Sequence, residues 1–183
     1  MKKIPALLIL MGLMACQGPE PRKPVKVNSG SFIKESVDRN KKLLAFEEQL
    51  MQEIIQKDSL HTYISTSDGS WYYYDLKNEV ATYKPQTDDL VRFTYTLTKF
   101  NNDTIYSEQE IGLQSYKVDK QELFPGLRNS LKLLKESERA TFLFPSSLGY
   151  GYLGDKNKID VNVPLKATIT IIAIEPIKNN NSE

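Results

Sequence analysis

The stretch LFPGLRNSLKLLKESERATFLFPSSLGYG, residues 123–151, holds a short helix, a strand and a glycine-rich loop in succession. Pro125 suits the first turn of a helix, where its missing N–H costs little. Leu127, Leu131 and Leu134 then share one face at i, i+4 and i+7. From Arg139 to Phe144 the period drops to two, which puts Ala140, Phe142 and Phe144 on one side of a strand. Pro145, Gly149, Gly151 and Gly154 follow as a loop.

Working outward, Leu90–Phe100 alternates over its whole length. Leu90, Arg92, Thr94, Thr96 and Thr98 face one way, and Val91, Phe93, Tyr95 and Leu97 the other. Asn101-Asn102-Asp103 supplies turn chemistry, and Thr104–Gln109 is predicted to return as a second strand. On the other side, Leu165–Glu175 reads as a long strand with Leu165, Ala167, Ile169 and Ile171 on one face. Strands outnumber helices, and one short helix sits among them. The expected class is α+β, an antiparallel sheet packed on a helix.

The N-terminal third carries different signals. Lys2 and Lys3 precede an apolar run, Ile4–Ala15, too short for a membrane-spanning helix of about 20 residues. That is the layout of a secretory signal over residues 1–15. It ends in Leu13-Met14-Ala15-Cys16, which resembles a lipobox, with Cys16 as the lipidation site. The alternative is an ordinary signal peptide that ends beside a cysteine. Residues 16–30, with Pro19, Pro21, Pro24 and two glycines, read as a flexible tether reaching roughly 45 Å at ~3 Å per residue. Residues 31–60 form a predicted amphipathic helix carrying Phe32, Val37, Leu44, Met51 and Ile55, with a break near Asn40. It serves either as a dimerisation or docking arm or as a helix packed on its own domain, and the pattern leaves both open. Residues 61–84 are a β-rich lead-in. Their Trp71-Tyr72-Tyr73-Tyr74 run suits a strand better than a base- or sugar-binding cluster. Residues 178–183 read as a disordered tail.

Composition removes several functions. The formal net charge of +1 becomes −1 when Lys2 and Lys3 are set aside with the leader, so no basic nucleic-acid footprint exists. One cysteine excludes an internal disulfide, and one histidine, His61, excludes multi-histidine metal sites and most histidine-centred triads.

Residues 85–177 resemble FKBP-type peptidyl-prolyl isomerases. The matching elements, in order, are Phe93-Thr94-Tyr95-Thr96, Ile105-Tyr106-Ser107, Leu123-Phe124-Pro125-Gly126-Leu127, Phe144–Gly151 and Ile159 before the last strand. With its leader, tether and helix the chain further resembles the gliding-motility-associated FKBP-type lipoproteins of Bacteroidetes. The resemblance implies an antiparallel sheet wrapped around one short helix, preceded here by an N-terminal amphipathic helix. It implies catalysis by Tyr150 O–H and Phe124 N–H, as donors to carbonyls of the bound peptide. It implies a substrate pocket of Tyr95, Tyr106, Tyr116, Leu123, Leu127 and Ile159, with Leu127 as floor. Ser107, Leu127 and Ala167 stand where the family usually has an acid, a tryptophan and an aromatic, and Ala167 is expected to open one wall.

The chemistry such a pocket performs calls for no cofactor or metal. Rotation about a peptide bond meets a barrier of ~18–20 kcal/mol because twisting breaks amide resonance, and no covalent bond is cleaved. The implied partners are proline-containing, unfolded or partly folded exported polypeptides and a membrane reached through the lipid anchor. Pairing of two chains through residues 31–60 is a further expectation. The competing reading is a chaperone or binding module that keeps the fold without the rate and helps assemble a cell-envelope machine.

Overall fold

The computed structural model describes residues 29–177. The leader, Cys16, most of the tether and the 178–183 tail lie outside the described residues. Contacts divide the chain at Ser36/Val37, and the unit from Val37 onward contains the whole sheet.

Helix α1, Ser29–Lys57, runs unbroken through Asn40. The expected break is absent because asparagine in a helix interior costs only some tenths of a kcal/mol, which the flanking Lys, Leu and Glu residues offset. Met51 is fully buried and Glu47 is 2% exposed, so this part of α1 packs on its own domain. No helix among the described residues is long and apolar enough to cross a membrane.

The strands are β1 Ile64–Ser65, β2 Trp71–Leu76, β3 Leu90–Thr98, β4 Thr104–Tyr106, β5 Gln114–Lys117, β6 Arg139–Phe144 and β7 Leu165–Glu175. They form one antiparallel sheet in the order β1-β2-β6-β7-β3-β4, with β5 also on β3. Along the free side of β3, β5 pairs with Leu90–Phe93 and β4 with Leu97–Thr98. This leaves Tyr95 between the two partners. Helix α2, Glu108–Ile111, joins β4 to β5, and α3, Pro125–Leu131, lies against the sheet.

One face of the sheet and α3 close the core. Val91, Phe93, Phe142, Phe144, Leu165, Ala167, Ile169 and Ile171 meet Leu127, Leu131 and Leu134, all fully buried. The close approach needs Gly126. A Cβ there would come within 2.8 Å of the Phe144 ring and 2.9 Å of the Leu148 carbonyl, closer than atoms pack.

Two expectations change. The second strand stops at Tyr106 because the Ser107 hydroxyl accepts Glu110 N–H at 3.2 Å and caps α2. Ala167 opens no wall. It is fully buried, paired across the sheet with Leu97 on β3 and Phe142 on β6.

Candidate functional site

At the β3–β4 end of the sheet lies a cavity of about 330 Å³, lined by Tyr95, Leu97, Tyr106, Glu110, Ile111, Tyr150 and Asp155. Each side chain arrives by its own route. Alternation along β3 puts Tyr95 and Leu97 on the core side, two residues apart. Tyr106 sits opposite Leu97 in the β3–β4 register. Tyr150 follows the 3-10 turn Ser146–Leu148 and starts another at Gly151–Leu153, with φ −98° and ψ 0°.

Asp155 comes from the next turn. Its Oδ1 accepts the N–H groups of Asn157 and Ile159, both at 2.8 Å. Its Oδ2 accepts Tyr106 O–H at 2.5 Å, while Asn157 Nδ2 donates to the Tyr106 oxygen at 2.9 Å. Gly154 is required to enter this turn. Its φ is +62°, and a Cβ would collide with the Ile159 carbonyl oxygen. Lys158 closes the rim, paired with Glu110 at 2.5 Å and placed 4.8 Å above the Tyr106 ring.

Phe124 joins from the start of α3. Its ring is 5.3 Å from that of Tyr150 and 5.9 Å, edge-on, from that of Phe144. Its backbone is extended, at φ −61° and ψ 147°, with Pro125 beginning the helix. Among the described residues neither Phe124 N–H nor Tyr150 O–H has a hydrogen-bond acceptor. Both remain available as donors.

The site's electrostatics keep the phenols neutral. Burial pushes the Tyr150 hydroxyl up to about 12 and raises Tyr95 as well. The hydrogen bond to Asp155, followed by burial, raises Tyr106. For Asp155, burial alone raises the carboxyl, but the donors from Tyr106, Ile159, Asn157 and Lys158 outweigh it and hold the group below its ordinary value. A carboxyl lowered on folding stabilises the fold above its unfolded pKa, and that contribution fades as pH falls through the folded value. Asp155→Asn should therefore cost roughly 1–2 kcal/mol at pH 7, the scale of one charged hydrogen bond. The difference should shrink as pH falls below the ordinary aspartate range and through the lowered folded value. Urea denaturation of both proteins across that range checks it, and a difference that persists at low pH refutes the ionic account.

The remaining sequence-picked residues lie deeper. Leu123 is half-buried against the core, whereas Tyr116, Leu127 and Ile159 belong to it, at 2%, 0% and 3% exposed. The Tyr116 hydroxyl accepts Asp119 N–H at 3.2 Å. The structure thus brings Tyr95, Tyr106 and Tyr150 together around the cavity, with Phe124 against Tyr150, while Tyr116, Leu123, Leu127 and Ile159 are not in its lining. Asp155, Leu97, Glu110 and Ile111 were not among the expected residues. Asp155 has a legible signal, the Gly154-Asp155 turn before Ile159.

Residues 81–172, half of the chain, match the family described as FKBP-type peptidyl-prolyl cis-trans isomerase. The chain belongs to that family. Among curated proteins it is similar to a probable FKBP-type peptidyl-prolyl cis-trans isomerase, FkpA, of Neisseria meningitidis serogroup B. The two are 26% identical over 132 residues, 72% of this chain and 46% of the relative. The chain therefore spans about half the length of that relative. Among solved structures it is similar to FkpA from Escherichia coli, with a TM-score of 0.58 and 20% identity over 81% of this chain and 64% of that one. It is also similar to a peptidyl-prolyl cis-trans isomerase from Pseudomonas syringae pv. tomato, with a TM-score of 0.59 and 18% identity over 74% of this chain and 96% of that one. At these identities the structural likeness is one of fold. The sheet and the short helix α3 compose an FKBP-type fold, and helix α1 precedes it. In this FKBP-type chain the carboxylate that accepts the Tyr106 hydroxyl comes from Asp155, while Ser107 caps α2.

Proposed function

We propose that this chain is a peptidyl-prolyl cis-trans isomerase acting on X-Pro bonds of exported, unfolded or partly folded polypeptides. The observation that carries the reading is the tyrosine cavity with the free donor Tyr150 O–H in its lining and a second, Phe124 N–H, on the residue whose ring meets Tyr150. Tyr150 and Phe124 act on the substrate's carbonyls, and Tyr95, Tyr106, Tyr116, Leu123, Leu127 and Ile159 shape the space for proline.

The chemistry suits those residues. X–Pro isomers interconvert over tens to hundreds of seconds unaided. A ten-thousandfold acceleration requires ~5.4 kcal/mol of transition-state stabilisation, at ~1.36 kcal/mol per decade. The twisted amide has lost the charge separation of the planar form, so an apolar cavity favours it over the ground state. Fixed donors hold the flanking carbonyls with no solvent reorganisation. Asp155 and the Lys158–Glu110 pair hold Tyr106 and the cavity's rim rather than touch the bond. The test is a protease-coupled assay of the purified chain on an X-Pro tetrapeptide. Acceleration over the uncatalysed rate is expected, and none at micromolar protein sinks the reading.

The finer parts of the proposal concern place. Cys16 carries lipid, which anchors the protein to the cell envelope facing the periplasm, and the Bacteroidetes resemblance suggests a client in gliding motility. Exposed apolar residues on α1, such as Phe46 at 58%, favour pairing of two chains through residues 31–60. Protein purified from its membrane should show an intact mass raised by lipid at Cys16 and a dimer mass in sedimentation equilibrium. An unmodified thiol or a monomer removes the respective claim.

A further inference from the structure

Beside the tyrosine cavity runs a larger groove of about 600 Å³, and Tyr150 lines both spaces. One wall is α1, with Val37, Leu43 and Leu44; the other is the loop that carries Tyr152 and Leu153. Several of these are open to water: Val37 is 44% exposed, Leu44 40%, Tyr152 76% and Leu153 60%. Apolar surface gathered in a concave place is the usual mark of a binding site. Among the described residues, Lys41 and Glu47 are the only charged ones in the lining, which favours an apolar occupant.

The groove also holds an unused acceptor. Glu47 Oε2 takes Ser146 N–H at 2.9 Å, but Oε1, shut away from solvent, meets no donor among the described residues. A buried carboxylate oxygen without a donor is costly.

We propose that this groove is a second subsite for the client polypeptide, holding an apolar segment adjacent to the proline that occupies the tyrosine cavity. The inference rests on the isomerase reading and names what that reading leaves open, the sequence preferred around proline. One occupant is chosen because one residue, Tyr150, lines both spaces. A chain that leaves the smaller space past Tyr150 enters the larger one. Clients with leucine or valine runs next to proline are then the preferred substrates.

The test compares kcat/KM for an X-Pro tetrapeptide with that for two longer peptides, which carry four leucine or valine residues before or after the same core. The readout is the long-to-short ratio within each protein, so overall loss of rate cancels. The wild-type ratio should reach about tenfold for one of the long peptides, in keeping with burial of two or more apolar side chains. In the Leu44→Asp/Leu153→Asp double variant it should fall to about one. Should circular dichroism show that the aspartates disturb the fold, serine at the same two positions is read instead. A wild-type ratio below about twofold, or a ratio unchanged in the double variant, overturns the subsite. So does a ratio that declines as protein concentration rises, because a second copy would then be filling the groove. If no peptide is turned over, the isomerase reading fails by itself, and fluorescence anisotropy of the labelled long peptide decides the subsite. Binding about tenfold weaker in the double variant retains it, and equal binding removes it.

Discussion

Phe142→Ala should destabilise the protein by about 3–5 kcal/mol, the range for deleting a buried phenylalanine side chain. Phe142 is fully buried at the middle of β6. Its ring stacks on Tyr72 at 4.9 Å and on Phe144 at 5.7 Å, and its backbone pairs with Tyr72 on β2 and Ala167 on β7. Alanine would leave a cavity that β-sheet backbone on both sides prevents from collapsing, so the high end of the range applies. Against a usual total of 5–15 kcal/mol this is a large fraction of the stability. Urea denaturation should show a lower midpoint with an unchanged slope. A loss under about 1.5 kcal/mol would mean that the aromatic stack is not the centre of the core. Because Phe144 leads into the loop that carries Tyr150 and its ring meets Phe124, the same variant should lose peptide affinity before it unfolds.

Where the sheet is half-buried, the sequence shows it directly. Val91, Phe93, Tyr95 and Leu97 on β3, and Leu165, Ala167, Ile169 and Ile171 on β7, are the residues that alternation assigns to the core, and all are buried except Tyr95, which is half-buried at the cavity. The errors fall where a local hydrogen bond outranks the pattern. Thr104–Gln109 follows a hairpin turn and is expected to run on as a strand, yet Ser107 and Glu110 carry a capping-box spacing that turns the chain into α2. The spacing was legible and the hairpin turn hid it. On β6, Leu143 is as fully buried as Phe142 and Phe144, so both faces are covered there. A period of two identifies only one covered face. β1, two residues long, carries no pattern at all.

The cavity was legible to the extent that its members are large and aromatic. Tyr95, Tyr106, Tyr150 and Phe124 come from four separate segments, and only ordered resemblance placed them together. Asp155 escaped because an acid was sought next to Tyr106 in the chain, whereas the carboxylate that reaches the phenol lies 49 residues away. A hydrogen bond depends on distance in space, and the turn entered at Gly154 supplies that without any trace in periodicity.

Tyr150→Phe should lower kcat/KM on an X-Pro peptide about tenfold, and Tyr150→Ala considerably more. Losing one net hydrogen bond of ~1.4 kcal/mol gives the first figure. The alanine adds the loss of the ring that meets Phe124 at 5.3 Å, on a residue that lines both spaces. How the loss divides reports when the bond forms. If Tyr150 O–H binds a carbonyl only as the amide twists, kcat falls and KM holds; if it binds equally in the planar state, KM rises alone. The free donor in the structure fits either, but catalysis needs the first. Protonation gives an independent check. With the hydroxyl pushed up to about 12 by burial, it remains a donor well above neutrality, so the wild-type rate should show no alkaline fall between pH 6 and 9. A wild-type rate that drops with a midpoint in that interval, or a Tyr150→Phe protein with unaltered rate and peptide affinity, would remove this hydroxyl from the mechanism. Phe124 N–H would then be left to hold the substrate alone.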